Sequence, residues 1–282
     1  MPLDLHIHST VSDGTLSPAE IVRVAVELGL SAVALADHDS VGGVREALQA
    51  ATGTSLCVIP AVEINTDVGE REAHLLGYFV DVDAEGLNRQ LQAIRRARVE
   101  RAGEMVRRLN GLGIPLSMSD VVAASAGESL GRPHVARALV AGGHCRSETE
   151  AFDRYLRIGR PAYVPRHRLS AGDAIRLIRS AGGVPVLAHP ALLRDDGLIA
   201  RFREEGLMGL EAHHCEHSHA VAQHYVKLAH QYGLIVTGGS DSHGPLSRRP
   251  VAIGSVSVPD SVLPALQAAA QGLQAARVRR ED

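Results

Sequence analysis

The chain has few large side chains from which to build a core. Tryptophan is absent from its 282 residues, and the three aromatic residue types together make up 3% of the sequence. Hydrophobic residues nevertheless account for 45%, a share typical of a folded globular chain and not of a disordered one. The core is therefore expected to consist of alanine, valine, leucine and isoleucine. The length allows one large barrel or one domain with an insertion.

Cysteine is scarce as well. Cys57, Cys145 and Cys215 lie far apart and are odd in number, which argues against a disulfide framework and against a cysteine-based zinc motif. No apolar run is long enough to span a bilayer, and a ligand-like motif stands where a signal peptide would begin. We therefore expect a cytoplasmic protein with no membrane partner. The formal net charge of −3 argues against bulk electrostatic binding of long duplex DNA.

Histidine, by contrast, is abundant, with fifteen residues, and two short motifs concentrate it. Asp-Leu-His-Ile-His occupies residues 4–8, Asp13 follows, and Ser-Asp-Ser-His occupies residues 240–243. Alternate residues of a β-strand share a face, so Asp4, His6 and His8 are expected to project the same way. Imidazoles and carboxylates on one face form the ligand set of a divalent metal ion. The motifs therefore indicate a metal-dependent hydrolase.

A helix followed by a short buried strand recurs along the chain. Ser17 and Glu20 form a capping box with proline at the first helical position, and Gly29 ends that helix. The apolar run 32–36 is typical of a strand buried on both faces, and similar units follow between residues 170 and 241. Polar residues gathered at the carboxyl ends of about seven strands predict a parallel α/β barrel and not a doubly wound sheet.

Residues 84–165 break this pattern. A long arginine-rich helix is predicted for residues 87–109. Shorter helices are predicted near residues 118–126, 133–141 and 147–157. We expect residues 84–165 to form a helical insertion over the barrel mouth, and residues 1–83 and 166–282 to form the barrel. Four arginines of the long helix are expected to form a solvated face: Arg95, Arg96, Arg98 and Arg101.

Nine side chains in or after the strand-like runs have the chemistry of metal ligands. They are six imidazoles and three carboxylates: His6, His8, Asp13, His38, Glu63, His74, His189, Asp241 and His243. One metal ion takes about four to six ligands, so nine imply two or three divalent metal ions that share bridging ligands. Glu63 is the natural bridge because it is the only glutamate in the set. We expect Mn²⁺, with Zn²⁺ or Fe²⁺ as alternatives, since all three accept such ligands.

The order of these motifs resembles that of the PHP (polymerase and histidinol phosphatase) family of metal-dependent phosphoesterases. The resemblance rests on residues 4–8 with Asp13, 36–39, 61–64, His74, 188–190 and 239–243. It implies a distorted seven-stranded (β/α) TIM-like barrel, the PHP fold, with a trinuclear site. Carried over residue by residue, it implies one metal bound by His6, His8, Glu63 and Asp241, a second by Glu63, His74 and His189, and a third by Asp13, His38 and His243.

The insertion resembles that of a subgroup of small phosphoesterases acting on nucleotides. Gly-Arg-Pro-His at residues 131–134 is similar to that subgroup's insert motif. The similarity implies that Arg132 binds a phosphate, which a planar guanidinium does bidentately. His134 is a second candidate for substrate binding. Arg160, Arg166 and His167 are weaker candidates from the same region.

A further histidine cluster comprises His213, His214 and His217, where the family has polar or aromatic residues. We expect His214 and His217 to line the substrate pocket. Adjacent strand residues point to opposite faces, so the sequence leaves open which of His213 and His214 faces inward.

These features predict hydrolysis of a phosphomonoester by water activated at the metals, with inversion at phosphorus. Asp13, His38 and His243 are the expected catalytic residues at the metals, and Arg132 would stabilise charge on the equatorial oxygens. The subgroup resemblance favours a small nucleotide as the partner, namely a nucleoside 3′,5′-bisphosphate that loses its 3′-phosphate to give a nucleoside 5′-monophosphate. Stepwise 5′→3′ degradation of short RNA and a histidinol-phosphate-type phosphatase are the alternatives within the family.

Two other classes stay open. Amidohydrolases are also histidine-rich metal barrels, but they often use a carboxylated lysine as the bridge, and Lys227, the only lysine, lies in a helical run. A non-catalytic, metal-stabilised module is the second class, as some PHP domains inside polymerases are. Such modules usually lose ligands, whereas all nine are present here.

Overall fold

The computed structural model describes residues 2–68, 71–125, 130–165, 169–247 and 250–281. Seven strands in this part of the chain form a sheet. The strands are β1 (Leu3–Ile7), β2 (Ala32–Leu35), β3 (Cys57–Val68), β4 (Arg71–Tyr78), β5 (Val184–Leu187), β6 (Gly209–His214) and β7 (Ile235–Gly239). Their spatial order is their chain order. The sheet nearly closes, since the backbone N–H of His8 donates to the carbonyl of Ser242 at 2.9 Å, just beyond β7. The predicted distorted seven-stranded α/β barrel is confirmed.

Strand direction is the one part of the barrel that differs from the sequence prediction. β4 runs antiparallel to both β3 and β5, whereas the other neighbouring strands are parallel. Only two residues separate β3 from β4, far too few for the crossover that a parallel pair needs. Because β4 runs backwards, its first half lies at the edge where the parallel strands end. His74 therefore reaches that edge from the beginning of its strand, opposite Asn65 of β3.

Ten α-helices lie in the described part of the chain. They are α1 (Pro18–Glu27), α2 (Val44–Ala50), α3 (Glu85–Gly111), α4 (Met118–Ala123), α5 (Arg132–Ala141), α6 (Glu148–Ala151), α7 (Ala171–Ser180), α8 (Gly197–Glu204), α9 (His219–Tyr232) and α10 (Val262–Glu281). A π-helical turn, Phe152–Leu156, continues α6, and a 3₁₀ turn, Pro190–Leu192, follows β5. The predicted capping box of α1 is present, with Ser17 and Glu20 bonded reciprocally. None of the helices described here combines the length and apolarity needed to cross a lipid bilayer.

Small aliphatic side chains fill the barrel core, as the composition predicts. One cluster joins alanines of β2 and β3 to Val184 and Val186 of β5 and to one face of α10. A second cluster packs α1 and α2 against Val33 and Leu35 of β2. Tyr78 and Phe202 are the largest fully buried side chains among the residues described. The three cysteines are unpaired.

The insertion has a hydrophobic cluster of its own. It runs from Ala102 in the last turns of α3 to Ala162 and includes α4, α5 and α6. Leu87 and Leu91, in the first turns of α3, belong instead to the barrel cluster around α7. The long helix therefore connects two packing units. The division at residues 84 and 165 stays a prediction.

Candidate metal centre

The parallel strands bring His6 and His8 to the centre of the barrel mouth. Their Nε2 atoms lie 3.1 Å apart, and both side chains are fully buried. Asp4, two residues earlier, does not join them. Its carboxylate accepts the backbone N–H groups of Ser240 and Gly254, each at 2.8 Å. Asp4 thus ties β1 to the segment after β7 and so fixes the position of the two histidines.

Glu63 lies at the centre of the cluster. Its Oε1 is 2.9 Å from His74 Nδ1 and 3.1 Å from His189 Nε2. Its Oε2 is 2.8 Å from His38 Nδ1, and 3.3 and 3.5 Å from Nε2 of His8 and His6. Burial alone would raise the pKa of this carboxyl, but the imidazoles outweigh burial and hold it well below its ordinary value. The two oxygens therefore face different sets of imidazoles, as a bridging carboxylate does.

A second carboxylate, Asp241, faces the same two histidines. Its Oδ1 lies 3.1 Å from His8 Nε2 and 3.4 Å from His6 Nε2. Asp241 has a φ of +53°, and His189 a φ of +28°. Positive φ values in non-glycine residues cost about 1–3 kcal/mol each and gather at functional sites. The backbone at both positions is therefore strained in a way that brings these side chains into the cluster.

The loop after β1 carries the third carboxylate. Asp13 Oδ1 is 3.3 Å from His243 Nε2, and Asp13 Oδ2 is 4.0 Å from His38 Nε2. Asp37 holds this loop, because it accepts the backbone N–H of Ser9 at 2.8 Å and its hydroxyl at 2.7 Å. Asp37 is a supporting residue outside the predicted set, and its place immediately after a buried strand is the available signal for it in the sequence.

All nine predicted ligands thus meet at one edge of the barrel. Eight of the nine, together with Glu211 and His214, form four sets, and within each set the possible ligand atoms all lie within 4.8 Å of one another. The sets are His8, Asp13, His38 and His243; His6, His8 and Asp241; His38, Glu63 and His74; and His6, Glu211 and His214. The first and second sets resemble two of the implied ligand groups, although Glu63 is missing from the second. The third joins His38 to Glu63 and His74, whereas the family resemblance implies His189 there. Ligation by each residue stays a prediction.

The donor set fits divalent metal ions. Several buried polar atoms at the cluster lack a hydrogen-bond partner of acceptable geometry: His8 Nδ1, Asp13 Oδ1, His38 Nδ1 and Glu63 Oε2. A buried polar group without a partner costs about 1–3 kcal/mol, and two imidazole nitrogens 3.1 Å apart cannot both face each other as bare acceptors. Cations between these atoms would satisfy them, and imidazole with carboxylate suits Mn²⁺, Zn²⁺ and Fe²⁺.

Glu211 is a site residue that the sequence analysis missed. This fully buried carboxylate lies 2.9 Å from His6 Nδ1 and accepts the backbone N–H of His189 at 2.7 Å. It raises the pKa of His6, together with Asp241 and Glu63, against the opposing effect of burial. Such a partner fixes the tautomer and ring orientation of a ligating histidine. The signal in the sequence was a lone glutamate in the strand that ends in His213 and His214.

The structure also answers which of the adjacent histidines faces inward. His214 points to the cluster, with Nε2 3.4 Å from Asp241 Oδ2, and its side chain is 1% exposed. Glu211 and His214 both reach the site because the register of β6 with β7 shifts between Glu211 and His213. The shift breaks the alternation of faces. His217 packs beside His214 and stacks on Tyr225.

Two of the cavities that open on the cluster have Asp13 and Pro133 in their walls. The first, of about 160 Å³, is lined by His38 and His74 of the barrel and by Arg98, Arg101, Arg132 and His134 of the insertion. The second, of about 340 Å³, is lined by Asp241 and His243 and by Arg137, Glu148 and Phe152 of the insertion. His214 and His217 line neither cavity, so their contact with substrate stays a prediction.

The prediction of a solvated arginine face on α3 is wrong for three of its four residues. Arg98 forms an ion pair with the buried carboxylate of Asp39, and Arg95 donates to the Asp39 carbonyl at 2.9 Å. Arg101 is partly buried and donates to the carbonyl of Val164 at 2.8 Å. Only Arg96 of the four is exposed. The helix crosses the barrel mouth, so its polar face meets the mouth and not water.

The insert motif lies in the first cavity. Arg132 Nη2 bonds Glu72 at 3.1 Å, and its guanidinium lies 6.0 Å from the Tyr163 ring. His134 Nδ1 accepts the backbone N–H of Gly131 at 2.9 Å, and burial lowers the pKa of His134 to about 4. His134 is therefore neutral at neutral pH. Arg160 is exposed and lines neither cavity. Arg166 and His167 lie outside the described residues.

Comparison with known proteins agrees with this geometry. The sequence matches the PHP domain family over residues 4–159. A 5′-3′ exoribonuclease of Haemophilus influenzae is 35% identical over 267 residues, which cover 93% of this chain and 96% of that protein. The chain belongs to the PHP family.

Further relatives of this PHP-family chain agree in length and fold. A 3′,5′-nucleoside bisphosphate phosphatase of Chromobacterium violaceum is 34% identical over 250 residues, covering 86% of this chain and 87% of that one. A solved structure from Bifidobacterium adolescentis, described as a metal-dependent phosphoesterase, has a TM-score of 0.86 and 31% identity, and covers 95% of this chain and 98% of its own. The PHP-family chain is a metal-dependent phosphoesterase.

Proposed function

We propose that this enzyme hydrolyses the 3′-phosphate of nucleoside 3′,5′-bisphosphates, releasing inorganic phosphate and a nucleoside 5′-monophosphate. The observation that carries the proposal is the position of Glu63, between two sets of imidazoles and beside a cavity lined by three arginines. Metal ligands beside guanidinium groups suit a phosphate ester. The Chromobacterium violaceum relative is itself a nucleoside bisphosphate phosphatase. A soluble nucleotide as substrate supports a cytoplasmic location.

The nine side chains named above would hold two or three ions, for which we propose Mn²⁺. Bound ions would lower the pKa of water and neutralise charge on the phosphate. Asp13, His38 and His243 would position the attacking side of the phosphate, because they line the two cavities next to the cluster. Arg132 would bind an equatorial oxygen, since its guanidinium faces the first cavity. Attack by water in line with the leaving oxygen inverts the configuration at phosphorus.

His214 is suited to protonate the leaving alkoxide. The backbone N–H of Glu216 donates to His214 Nδ1 at 3.1 Å, so the ring proton resides on Nε2. That nitrogen faces the cluster at 3.4 Å from Asp241 Oδ2. A proton on Nε2 would thus be available on the cluster side of the ring.

A second candidate function is 5′→3′ degradation of short RNA. It is favoured by the Haemophilus influenzae exoribonuclease, which matches nearly the whole chain, and by the two cavities that open on one cluster. A strand entering from one cavity can leave its cleaved nucleotide in the other. A histidinol-phosphate-type substrate has no comparable support, because the cavity arginines suit a more highly charged ligand.

Phosphate release from adenosine 3′,5′-bisphosphate by the Mn²⁺-loaded protein tests the proposal. We expect rapid release that is lost in Asp13→Asn. The matched control is Asp83→Asn, an exposed aspartate remote from the cluster. A 5′-labelled oligoribonucleotide is assayed in parallel. Shortening of the oligonucleotide without release from the bisphosphate would replace the first proposal by the second, and activity on neither would contradict both.

A further inference from the structure

A third cavity opens on the metal-ligand cluster, beside the first. Its volume is about 470 Å³, within the range of about 300–1,000 Å³ that is typical of small-ligand sites. His74 and His189, which both face Oε1 of Glu63, lie in its wall. Glu72 and His74 line the first cavity as well. The two cavities therefore adjoin at the cluster, and a ligand held there can extend into either.

Two of the side chains that line the third cavity are large, aliphatic and exposed. Ile158 follows the π-helical turn of the insertion and is 67% exposed, and Leu192 ends the 3₁₀ turn after β5 and is 51% exposed. Apolar surface left in water is unfavourable, and apolar side chains gathered around a concave surface are typical of a ligand site. A nucleobase is a flat ring of the kind that packs against such side chains.

The same cavity has arginines in its wall, and one of them lacks a carboxylate partner. Arg71 is paired with Asp195 at 2.6 Å. Arg194 is exposed, and no carboxylate in the described part of the chain forms an ion pair with it. Glu72, the acidic residue of this wall, is bonded to Arg132 at 3.1 Å. The third cavity therefore offers an unpaired guanidinium, which suits a phosphate group.

The second cavity has a different charge. Its wall contains one aromatic ring, that of Phe152. Its arginine, Arg137, lies 3.5 Å from Glu148, and Glu216 adds a further carboxylate. Acidic walls repel a chain of phosphates. The second cavity therefore suits a single nucleoside better than a continuing nucleic acid chain.

Short RNA and a nucleoside 3′,5′-bisphosphate differ on one side of the scissile phosphate only. In both, the oxygen of water bonds to phosphorus, the bond from phosphorus to the 3′-oxygen breaks, and that oxygen leaves as a hydroxyl group. In RNA the same phosphorus also carries the 5′-oxygen of the next nucleoside, which stays attached after cleavage. RNA therefore needs a further cavity at the cluster, one that accepts a base and the phosphate that follows it.

We propose that the third cavity binds the nucleoside on the 3′ side of the scissile phosphate of a short RNA, with its base against Ile158 and Leu192 and the following phosphate on Arg194. The inference rests on the second candidate function, and it assigns a site to the part of RNA that the bisphosphate lacks. Ile158, Leu192 and Arg194 are specificity-determining residues in this assignment, since they touch substrate away from the reacting atoms.

The test compares kcat/KM for a 5′-phosphorylated oligoribonucleotide with kcat/KM for adenosine 3′,5′-bisphosphate. Ile158→Ser and Leu192→Ser are each expected to lower the ratio of RNA to bisphosphate by about tenfold, the size of one base contact. Arg194→Gln should also lower the ratio and should weaken the salt dependence of RNA cleavage. Leu246→Ser is the control, because Leu246 is 84% exposed and lines none of the three cavities.

An oligoribonucleotide whose second residue is abasic isolates the base contact. The wild type should cleave it about as slowly as Leu192→Ser does, and Leu192→Ser should cleave the abasic and the complete RNA equally well. If the wild type cleaves RNA but not the bisphosphate, this abasic RNA serves as the reference substrate. Thermal melting of each variant detects loss of the fold.

Two outcomes overturn the inference: variants that lose activity on RNA and on the reference substrate equally, and RNA cleavage that Ile158→Ser and Leu192→Ser leave unchanged. If the wild type cleaves no RNA, the second candidate function fails, and fluorescence anisotropy of a 3′-labelled oligoribonucleotide with the Mn²⁺-loaded protein decides the cavity alone. Binding that Leu192→Ser weakens at least about tenfold supports the site, and equal or absent binding refutes it.

Discussion

Replacing Glu211 by glutamine tests whether a carboxylate beside the cluster controls metal binding. Glu211 Oε1 lies 2.9 Å from His6 Nδ1, and Oε2 accepts the His189 N–H at 2.7 Å. A carboxylate accepts at both oxygens, whereas glutamine has one acceptor and one donor group. With the glutamine oxygen on the His189 amide, its NH₂ group faces His6 Nδ1 and donates to it. The ring proton of His6 then moves to Nε2.

That proton would lie where a metal is expected to bind. His6 Nε2 is 3.1 Å from His8 Nε2 and 3.4 Å from Asp241 Oδ1. Loss of such an orienting partner costs about 10- to 100-fold in metal affinity or activity, which corresponds to about 1.4–2.8 kcal/mol. We expect the apparent Kd for Mn²⁺ to rise by that factor. Activity should recover largely at high Mn²⁺, because Glu211 does not contact substrate.

Metal titrations followed by phosphate release and by metal content per chain measure this effect. Glu204→Gln is the control, since Glu204 is exposed on α8. Unchanged Mn²⁺ affinity in Glu211→Gln would refute the tautomer argument. A lower unfolding temperature of the metal-free variant, with unchanged metal affinity, would make Glu211 a purely structural residue.

Three further predictions concern the bridging role of Glu63, the contact between the insertion and the barrel, and pH. Glu63→Gln should lower bound Mn²⁺ by about one ion per chain, measured by elemental analysis, since the amide cannot bridge through two anionic oxygens; full occupancy would contradict a bridging role. Asp39→Asn should lower the free energy of unfolding, measured in urea, by about 3–5 kcal/mol, because it breaks a buried ion pair with Arg98. The control Asp83→Asn removes an exposed ion pair and should lower the free energy of unfolding by less than about 1 kcal/mol. Neighbouring carboxylates raise the pKa of His6 despite its burial. Protonated His6 therefore stabilises the metal-free protein fully at a pH below 6.5, the ordinary pKa of histidine, and this stabilisation is lost as the pH rises through the raised pKa of His6. Metal competes with the same proton, so the gap in Tm between Mn²⁺-loaded and chelator-treated protein should widen as the pH rises above the ordinary value of about 6.5, and a constant gap would contradict this.

The donor chemistry of the site could be predicted from the sequence, because it depends on local patterns. Histidine and carboxylate after successive buried strands indicate one edge of an α/β barrel whatever the loops do. The capping box at Ser17 and the glycine stop at Gly29 are also local, and both are present. The family resemblance adds the number of strands, and the seven-stranded barrel agrees with it.

What the sequence pattern got wrong or left open depends on how the strands connect, where the long helix lies and how the strands are registered. The direction of β4 follows from a two-residue connection, which periodicity does not register. Arg98 and Arg101 have the spacing of a solvated helix face, but α3 lies across the barrel mouth, and so they meet Asp39 and Val164 instead. His214 faces inward only because the strand register shifts beside it.

The sequence by itself therefore determined the types of side chain at the site, their order and the barrel that gathers them, since strand ends of one sheet must meet at one edge. Only the tertiary structure decided how these side chains are arranged around one another. Glu63 faces five imidazoles that come from four separate parts of the chain, and Glu211 orients His6 across about two hundred residues. Such contacts depend on strand order, register and backbone strain, which are properties of the packed fold and not of any local run of residues.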